Sequence, residues 1–330
     1  MNRLKSFKDR LKIVDKNSFN SFSINLFHFQ FRNNPIYHKY VQSLGIKPDS
    51  IKHPIDIPFL PISIFKHQEV KTLSWDHDFT FESSGTTGMQ FSKHYIEDID
   101  FYKDVSSSIF NQFYGNPEDF IILALLPSYY DKANSSLIYM VKHLIELTGS
   151  EHSGFYLSNL HDLKMKINSL KGSTDKKIML WGVTFALLDF ASNYSVNMNN
   201  MIVIETGGMK GRGEEIVRTE LHDLLIRNLH TDSIHSEYGM TELLSQAYAI
   251  ENGLFHPPPW MSVISREIND PFSMVYDGRQ GVINIIDLAN IHSCAFIATE
   301  DLGRVYADGT FEILGRMDNS DMRGCNLLLS

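Results

Sequence analysis

Cysteine is nearly absent: among 330 residues only Cys294 and Cys325 occur. Neither belongs to a Cys-x-x-Cys pair, which excludes zinc-ribbon and thioredoxin-like chemistry. The 14 histidines show no metal-ligand spacing, so no zinc is assigned. Long apolar runs are missing too. Nothing approaches the roughly 20 residues that cross a bilayer, and the polar start at 1–17 lacks the apolar centre of a secretory signal. No membrane span and a reducing, cytoplasmic location are therefore expected. Clustered positive charge is equally scarce. Thirty basic residues face 39 acidic ones for a net charge of −9, and the basic groups at 5–12 and 176–177 are short. That balance excludes a dedicated nucleic-acid partner, whose backbone phosphates need clustered Lys and Arg. No internal repeat or low-complexity linker is visible.

What the chain does have is a core. Hydrophobic residues make up 43 %, enough for one large α/β domain or two unequal ones. Three regions are expected, at 1–80, 81–260 and 261–330. The first is rich in aromatics and interrupted by Pro35, Pro48, Pro54, Pro58 and Pro61. It reads as a region packed on the core, with 55–64 extended because closely spaced prolines disfavour helix. In the second, strand-like runs at 120–126, 178–181 and 201–205 alternate with helical patterns at 136–147, 184–194 and 214–228. Such alternation predicts a parallel sheet with crossover helices. In the third, short runs at 261–268, 281–286, 293–298 and 310–314 are separated by Gly and Asp-Gly turns, the pattern of a small antiparallel subdomain.

The sharpest local feature is Ser83-Ser84-Gly85-Thr86-Thr87-Gly88. Two glycines let backbone turn tightly against a ligand, and four hydroxyls with several N–H groups suit a polyphosphate. It is not a Walker loop, since no Gly-Lys-Ser/Thr closes it. By itself it reads equally as a polar surface turn. Downstream come Glu237-Tyr238-Gly239-Met240-Thr241-Glu242, placed after a polar strand and expected to open an apolar helix. Then follow Thr299-Glu300-Asp301-Leu302-Gly303 and Gly315-Arg316-Met317-Asp318.

In this order and spacing, the four motifs resemble those of the adenylate-forming superfamily of acyl-CoA synthetases, adenylation domains and luciferase-like ligases. The resemblance implies that Ser83, Ser84, Gly85, Thr86, Thr87 and Gly88 hold the β- and γ-phosphates of ATP. It places Tyr238 against adenine, Thr241 at the α-phosphate, Glu242 on Mg²⁺, Asp301 on the ribose hydroxyls and Arg316 near ribose and phosphate. The chemistry is apt. A carboxylate suits a hard cation, an acid accepts two hydroxyl protons, and a guanidinium offsets charge on leaving pyrophosphate. Gly207 and Gly208, in Ile204-Glu205-Thr206-Gly207-Gly208, read either as a loop lining the adenine or as a plain strand-to-helix turn.

Typical members of the superfamily continue past Gly-Arg-x-Asp into a mobile lid that carries a lysine promoting adenylation. Here the sequence ends at Ser330, so the expected fold is the N-terminal domain with the lid essentially absent, and no catalytic lysine is named. The tail Arg323-Gly324-Cys325-Asn326-Leu327-Leu328-Leu329 resembles that of the LuxE-type long-chain acyl-protein synthetases. That resemblance implies an acid, fatty in that branch, adenylated with ATP and Mg²⁺, then passed to Cys325 and on to a protein such as a reductase or carrier. A thiolate attacks a mixed anhydride well, and a thioester stays reactive; the alternative for Cys325 is a small apolar residue packing a terminal strand. Cys294 reads as a buried structural thiol. His94 reads as either near the phosphates or on the surface, and the apolar residues at 181–188 as either an acyl tunnel or core. Two other functions stay open: a ligase resembling phenylacetate-CoA ligase, with CoA as acceptor, and a non-catalytic module binding nucleotide or acyl-AMP.

Overall fold

The computed structural model describes residues 2–77, 79–83, 91–127, 134–157, 159–207, 216–276 and 278–317. The chain forms two compact units. The first comprises 1–99, 242–245 and 256–330; the second comprises 100–241 and 246–255.

The first unit opens with helices α1 (Asn2–Leu11), α2 (Lys16–Asn33) and α3 (Pro35–Ser43). Asp15 caps α2, accepting from the Ser18 N–H at 2.8 Å while its own N–H donates to the Ser18 hydroxyl. Asn34 ends α2 and starts α3, with Pro35 in the first turn, where its missing N–H costs nothing. That proline therefore divides two helices and leaves both intact. α2 buries Phe22, Leu26, Phe27 and Phe29. Its Gln30 donates to the Asn290 carbonyl at 2.9 Å and accepts from the Ala295 N–H at 2.9 Å. The stretch at 55–64 is extended at Ile57 and at β1 (Leu60–Pro61), while 3₁₀ turns take Pro54–Asp56 and Ile62–Lys66. The prolines there fix turns as well as extension. β2 (Phe79–Glu82) and β3 (Lys93–Ile96) form an antiparallel hairpin.

The second unit is built on one sheet. Its strands are β4 (Phe120–Leu125), β5 (Gly154–Tyr156), β6 (Lys177–Val183), β7 (Ile202–Thr206), β8 (His235–Tyr238) and β9 (Ala247–Ala249), ordered β5-β4-β6-β7-β8-β9. All pairs are parallel except β8 with β9. Every residue of β4 is buried, as strands covered on both faces require. Five helices accompany the sheet: α4 (Ile99–Tyr114), α5 (Ser136–Thr148), α6 (Leu160–Leu170), α7 (Thr184–Asn193) and α8 (Arg218–Leu229). Ser135 caps α5 and Gly149, at φ 56°, ends it. The helix expected after Glu242 is not formed. Residues 241–242 are turn, 243–246 are irregular, and the chain then pairs as β9; residues 242–249 are all buried, a run without the exposed face of an amphipathic helix.

Back in the first unit, β10 (Met261–Arg266), β11 (Met274–Val275), β12 (Gln280–Asp287), β13 (Phe296–Val305) and β14 (Phe311–Arg316) form an antiparallel sheet to which β1 adds in parallel. β13 begins later than expected and runs through the whole Thr299–Gly303 motif. Cys294 lies just before it, fully buried. No helix among the described residues is long and apolar enough to cross a membrane.

Candidate functional site

Among the described residues, four of those predicted lie in the first unit: Ser83, Glu242, Asp301 and Arg316. Ser83 follows β2, and its hairpin with β3 frames the Ser/Thr/Gly loop. Ser83 N–H donates to the Ser92 carbonyl at 3.0 Å, and Ser92 N–H donates to the Ser83 hydroxyl at 2.9 Å, closing the neck of the loop. The Ser92 side chain is also a hydrogen-bond partner of the Glu242 carboxylate. Glu242 is buried. Burial pushes its pKa up; Ser92 and the Arg316 guanidinium pull it down, while the Asp301 carboxylate adds to the upward push. Asp301 and Arg316 are direct partners across the β13–β14 ladder, with Arg316 Nε 3.7 Å from the Asp301 carboxylate and Nη2 3.6 Å from Glu300. A register shift at Leu302/Gly303 interrupts that ladder beside Asp301, the kind of irregularity that re-aims side chains near sites. The Arg316 side chain is 60 % exposed, so its charge is presented to solvent and to any anion there.

The backbone around Glu242 is held from the end of β12 and the turn that follows it. Asn290 Nδ2 donates to the Glu242 carbonyl at 2.7 Å. Asp287 accepts from Leu244 N–H at 2.9 Å, Ser245 N–H at 3.0 Å, the Ser245 hydroxyl at 2.7 Å and Ala289 N–H at 3.1 Å. His94, on β3, is buried, with Nε2 3.2 Å from Asn290 Oδ1. Lys93 is exposed and lies 3.9 Å from Glu82.

Gly207, Tyr238 and Thr241 belong to the second unit. Gly207 follows β7 at φ 64°, a left-handed conformation that glycine adopts without strain. Its carbonyl accepts from the Thr184 hydroxyl at 3.2 Å, which also lies 3.1 Å from Glu205. Glu205 is buried beside Arg218 (3.3 Å) and His222 (3.7 Å). Burial opposes its ionisation, but the His222 hydrogen bond and the Arg218 charge outweigh it and hold the pKa at about 2. On the adjacent strand Glu237 is bonded by the Thr206 hydroxyl. Burial raises its pKa to about 7 against that bond, and the Glu205 charge adds to the rise. Tyr238 is buried, its ring 5.7 Å from Phe255 and its hydroxyl 3.8 Å from Met240 Sδ. A Cβ on Gly239 would come within 2.6 Å of Glu237 Oε1, so any other residue there would have to displace that carboxylate. Thr241 is half-buried in the turn that precedes Glu242. Of the residues at 181–188, Trp181, Val183, Ala186 and Leu187 are core.

The model of the LuxE acyl-protein synthetase family matches residues 6–330. The chain belongs to this family. It is 25 % identical over 357 residues to a long-chain-fatty-acid–luciferin-component ligase of Aliivibrio fischeri, covering 98 % of this chain and 90 % of that one. Among solved structures it is similar to an open conformation of 2-hydroxyisobutyryl-CoA ligase in complex with 2-HIB-AMP and CoA. That match has a TM-score of 0.66 at 13 % identity, over 91 % of this chain and 69 % of the ligase. It is also similar to ATP-bound MatB from Rhodopseudomonas palustris, at TM-score 0.55 and 15 % identity over 74 % of this chain. The chain spans 50 % of that MatB's length. At these identities the shared property is the fold, the α/β architecture of acyl-CoA ligases that the ordered motifs implied.

Ser84, Gly85, Thr86, Thr87, Gly88, Gly208 and Cys325 lie outside the described residues. Mg²⁺ is implied by the resemblance, and the donor set can be tested for it. Among the described residues no group of three or more His, Cys, Asp or Glu could cage a metal. Mg²⁺ usually takes one or two carboxylates and completes its shell with water and substrate phosphates, so a buried Glu242 with Asp301 nearby fits. Cys294 does not suit nucleophilic chemistry, since burial pushes its thiol up to about 12. Ser92, Asp287 and Asn290 were not singled out from sequence. Asp287 and Asn290 have turn spacing, but nothing local links them to Glu242 more than forty positions earlier.

Proposed function

We propose that this LuxE-family protein uses ATP to activate a carboxylic acid, with a fatty acid as the first candidate, and then passes the acyl group to a protein thiol. In the first step a carboxylate oxygen attacks the α-phosphorus of ATP and pyrophosphate leaves, forming acyl-AMP. In the second a thiolate attacks the acyl carbonyl and AMP leaves, forming a thioester. Cys325 is the proposed first acceptor, with a partner protein or CoA as the final one.

The observation that carries this reading is the assembly of Glu242, Asp301 and Arg316, from three separate motifs, with Ser92 beside Glu242, within one unit. Their chemistry matches the task. Asp301 can accept ribose hydroxyl protons, and Arg316 offsets charge as pyrophosphate departs. Glu242 would hold Mg²⁺, which neutralises phosphate charge when bound. Ser83 and the loop after it would receive the β- and γ-phosphates. In the second unit Tyr238 and the Gly207-Gly208 turn would meet the adenine, with Thr241 at the α-phosphate.

The test is pyrophosphate release by purified protein with ATP, Mg²⁺ and a panel of fatty, hydroxy and aromatic acids, with hydroxylamine trapping the acyl group. Acid-dependent release is expected. Labelled acyl should attach to the protein, and Cys325→Ser should abolish that attachment while leaving pyrophosphate release intact. Labelling of the serine variant at the wild-type level would remove Cys325 from the pathway. ATP binding with no release for any acid, alone or with a partner reductase, would leave a nucleotide-binding module.

A further inference from the structure

Glu242–Ser245 is an unusual segment. These four residues belong to the first unit, although the chain on both sides of them belongs to the second. Residues that leave one unit and return within four positions need a definite attachment. Here that attachment comes from the side chains of Asp287, the last residue of β12, and Asn290, which follows the strand. Asp287 takes two backbone N–H groups and one hydroxyl from Leu244 and Ser245, and Asn290 donates to the carbonyl of Glu242 itself. Trp260 adds a bond from its indole N–H to the Ser245 hydroxyl at 2.9 Å. The turn is anchored in its own right, since Gln30 of α2 donates to the Asn290 carbonyl at 2.9 Å.

The amide of Asn290 has only one consistent orientation. The Glu242 carbonyl is an acceptor only, so Nδ2 must face it and Oδ1 must face His94. His94 Nε2 therefore carries a proton and donates to Asn290 Oδ1 at 3.2 Å. His94 stands on β3, two residues after Ser92, whose hydroxyl meets the Glu242 carboxylate. One buried amide thus ties the exit strand of the Ser/Thr/Gly loop to the backbone of Glu242, and the same strand's Ser92 touches the Glu242 side chain.

We propose that Asn290 and Asp287 are positioning residues that fix Glu242 relative to the neck of the Ser/Thr/Gly loop, so that its carboxylate and the nucleotide phosphates can share one divalent cation. Neither residue touches the ion or the nucleotide in this assignment. The inference rests on the reading of Glu242 as a Mg²⁺ ligand. Outer-shell partners of metal ligands typically change metal affinity by about 10–100-fold when replaced, and that range is expected here.

The experiment compares wild type with Asn290→Asp and Glu242→Gln, using two readouts. One is the rise in Tm on adding ATP in EDTA and then with excess Mg²⁺. The other is the Mg²⁺ concentration giving half-maximal acid-dependent pyrophosphate release. Asn290→Asp keeps the size of the side chain but replaces the donor facing the Glu242 carbonyl with an oxygen. Expected for it is a wild-type ATP effect in EDTA, loss of most of the Mg²⁺-dependent increment in Tm, and a Mg²⁺ requirement raised by about 10–100-fold. Asn290→Ser, which is smaller and uncharged, replaces it if the aspartate variant does not fold. An unchanged Mg²⁺ increment and requirement in a folded Asn290 variant would overturn the proposal, including when its Tm is simply lower. If Glu242→Gln itself keeps wild-type Mg²⁺ behaviour, the assignment of Glu242 fails. If Glu242→Gln loses it and the Asn290 variants do not, only the positioning role fails.

Discussion

Glu205 in the second unit and Glu242 in the first are both buried glutamates near the ends of motifs, yet their surroundings differ in kind. Glu205 is neutralised from within: Arg218 and His222 lie against it, the Thr184 hydroxyl bonds it, and its pKa is held at about 2. Glu242 has a hydroxyl partner in Ser92, and the cation acting on it, Arg316, has a largely exposed side chain. Burial wins, and its pKa is raised. A buried carboxylate with its counter-charge supplied by the fold is structural. One left without a buried counter-charge is expensive unless something else brings positive charge. Burial alone therefore marks neither as a site; the source of the balancing charge does.

Replacing each by glutamine should separate the two roles. The largest effect is expected for Glu242→Gln on catalysis. Loss of the carboxylate proposed to hold Mg²⁺, the cation that would offset charge on the departing pyrophosphate, should lower kcat for acid-dependent pyrophosphate release by about 10²–10³-fold, with Tm near wild type. Glu205→Gln should do the reverse. It leaves Arg218 and His222 facing a neutral amide, and removal of one partner of a buried pair costs roughly 3 kcal/mol, measured by urea unfolding. The pH dependence adds a check. The folded pKa of Glu205 is depressed, so its stabilisation is full above the unfolded value near 4.5 and fades as pH falls towards 2. The gap between wild type and Glu205→Gln should therefore close over that window. A Glu205 variant that stays stable but is catalytically dead would break the comparison.

The two units also differed in how far they could be read from sequence. Strands β4, β6 and β7 and helices α5 and α7 stand close to their expected positions, because parallel strands are short apolar runs and their crossover helices are periodic. α2 is hidden by its polar and aromatic mixture, Lys16–Asn33, in which the buried Phe22, Leu26, Phe27 and Phe29 stand among polar residues. The segment after Glu242 reads as helical because Leu243 and Leu244 are apolar, but the Leu244 and Ser245 N–H groups are taken by Asp287, which is distant in sequence. The same holds for the site. Glu242, Asp301 and Arg316 were legible from their motifs. Ser92, Asp287 and Asn290 were not, since long-range pairing alone gives them a function, and no spacing rule records that a turn at 287–290 will bond residues 242–245.

Glu237 offers the smallest and most discriminating test. It is buried on β8 next to β7, and its named neighbours are the Thr206 hydroxyl and the Glu205 carboxylate, so burial lifts its pKa to about 7. A raised folded pKa means that the folded state holds the proton more tightly than the unfolded chain does. Its contribution is thus fully present below about 4.5 and is lost as pH rises through 7. A shift of this size corresponds to no more than roughly 3 kcal/mol, and relaxation around the charged form would reduce it. Glu237→Gln, a permanent mimic of the protonated acid, should therefore match wild type at pH 5 and exceed it in stability at pH 8. The sign is opposite to that of Glu205 one strand away. Parallel stability profiles for wild type and Glu237→Gln from pH 5 to 8 would mean that Glu237 is charged throughout, and its environment would then have to supply the positive charge that Arg218 supplies to Glu205.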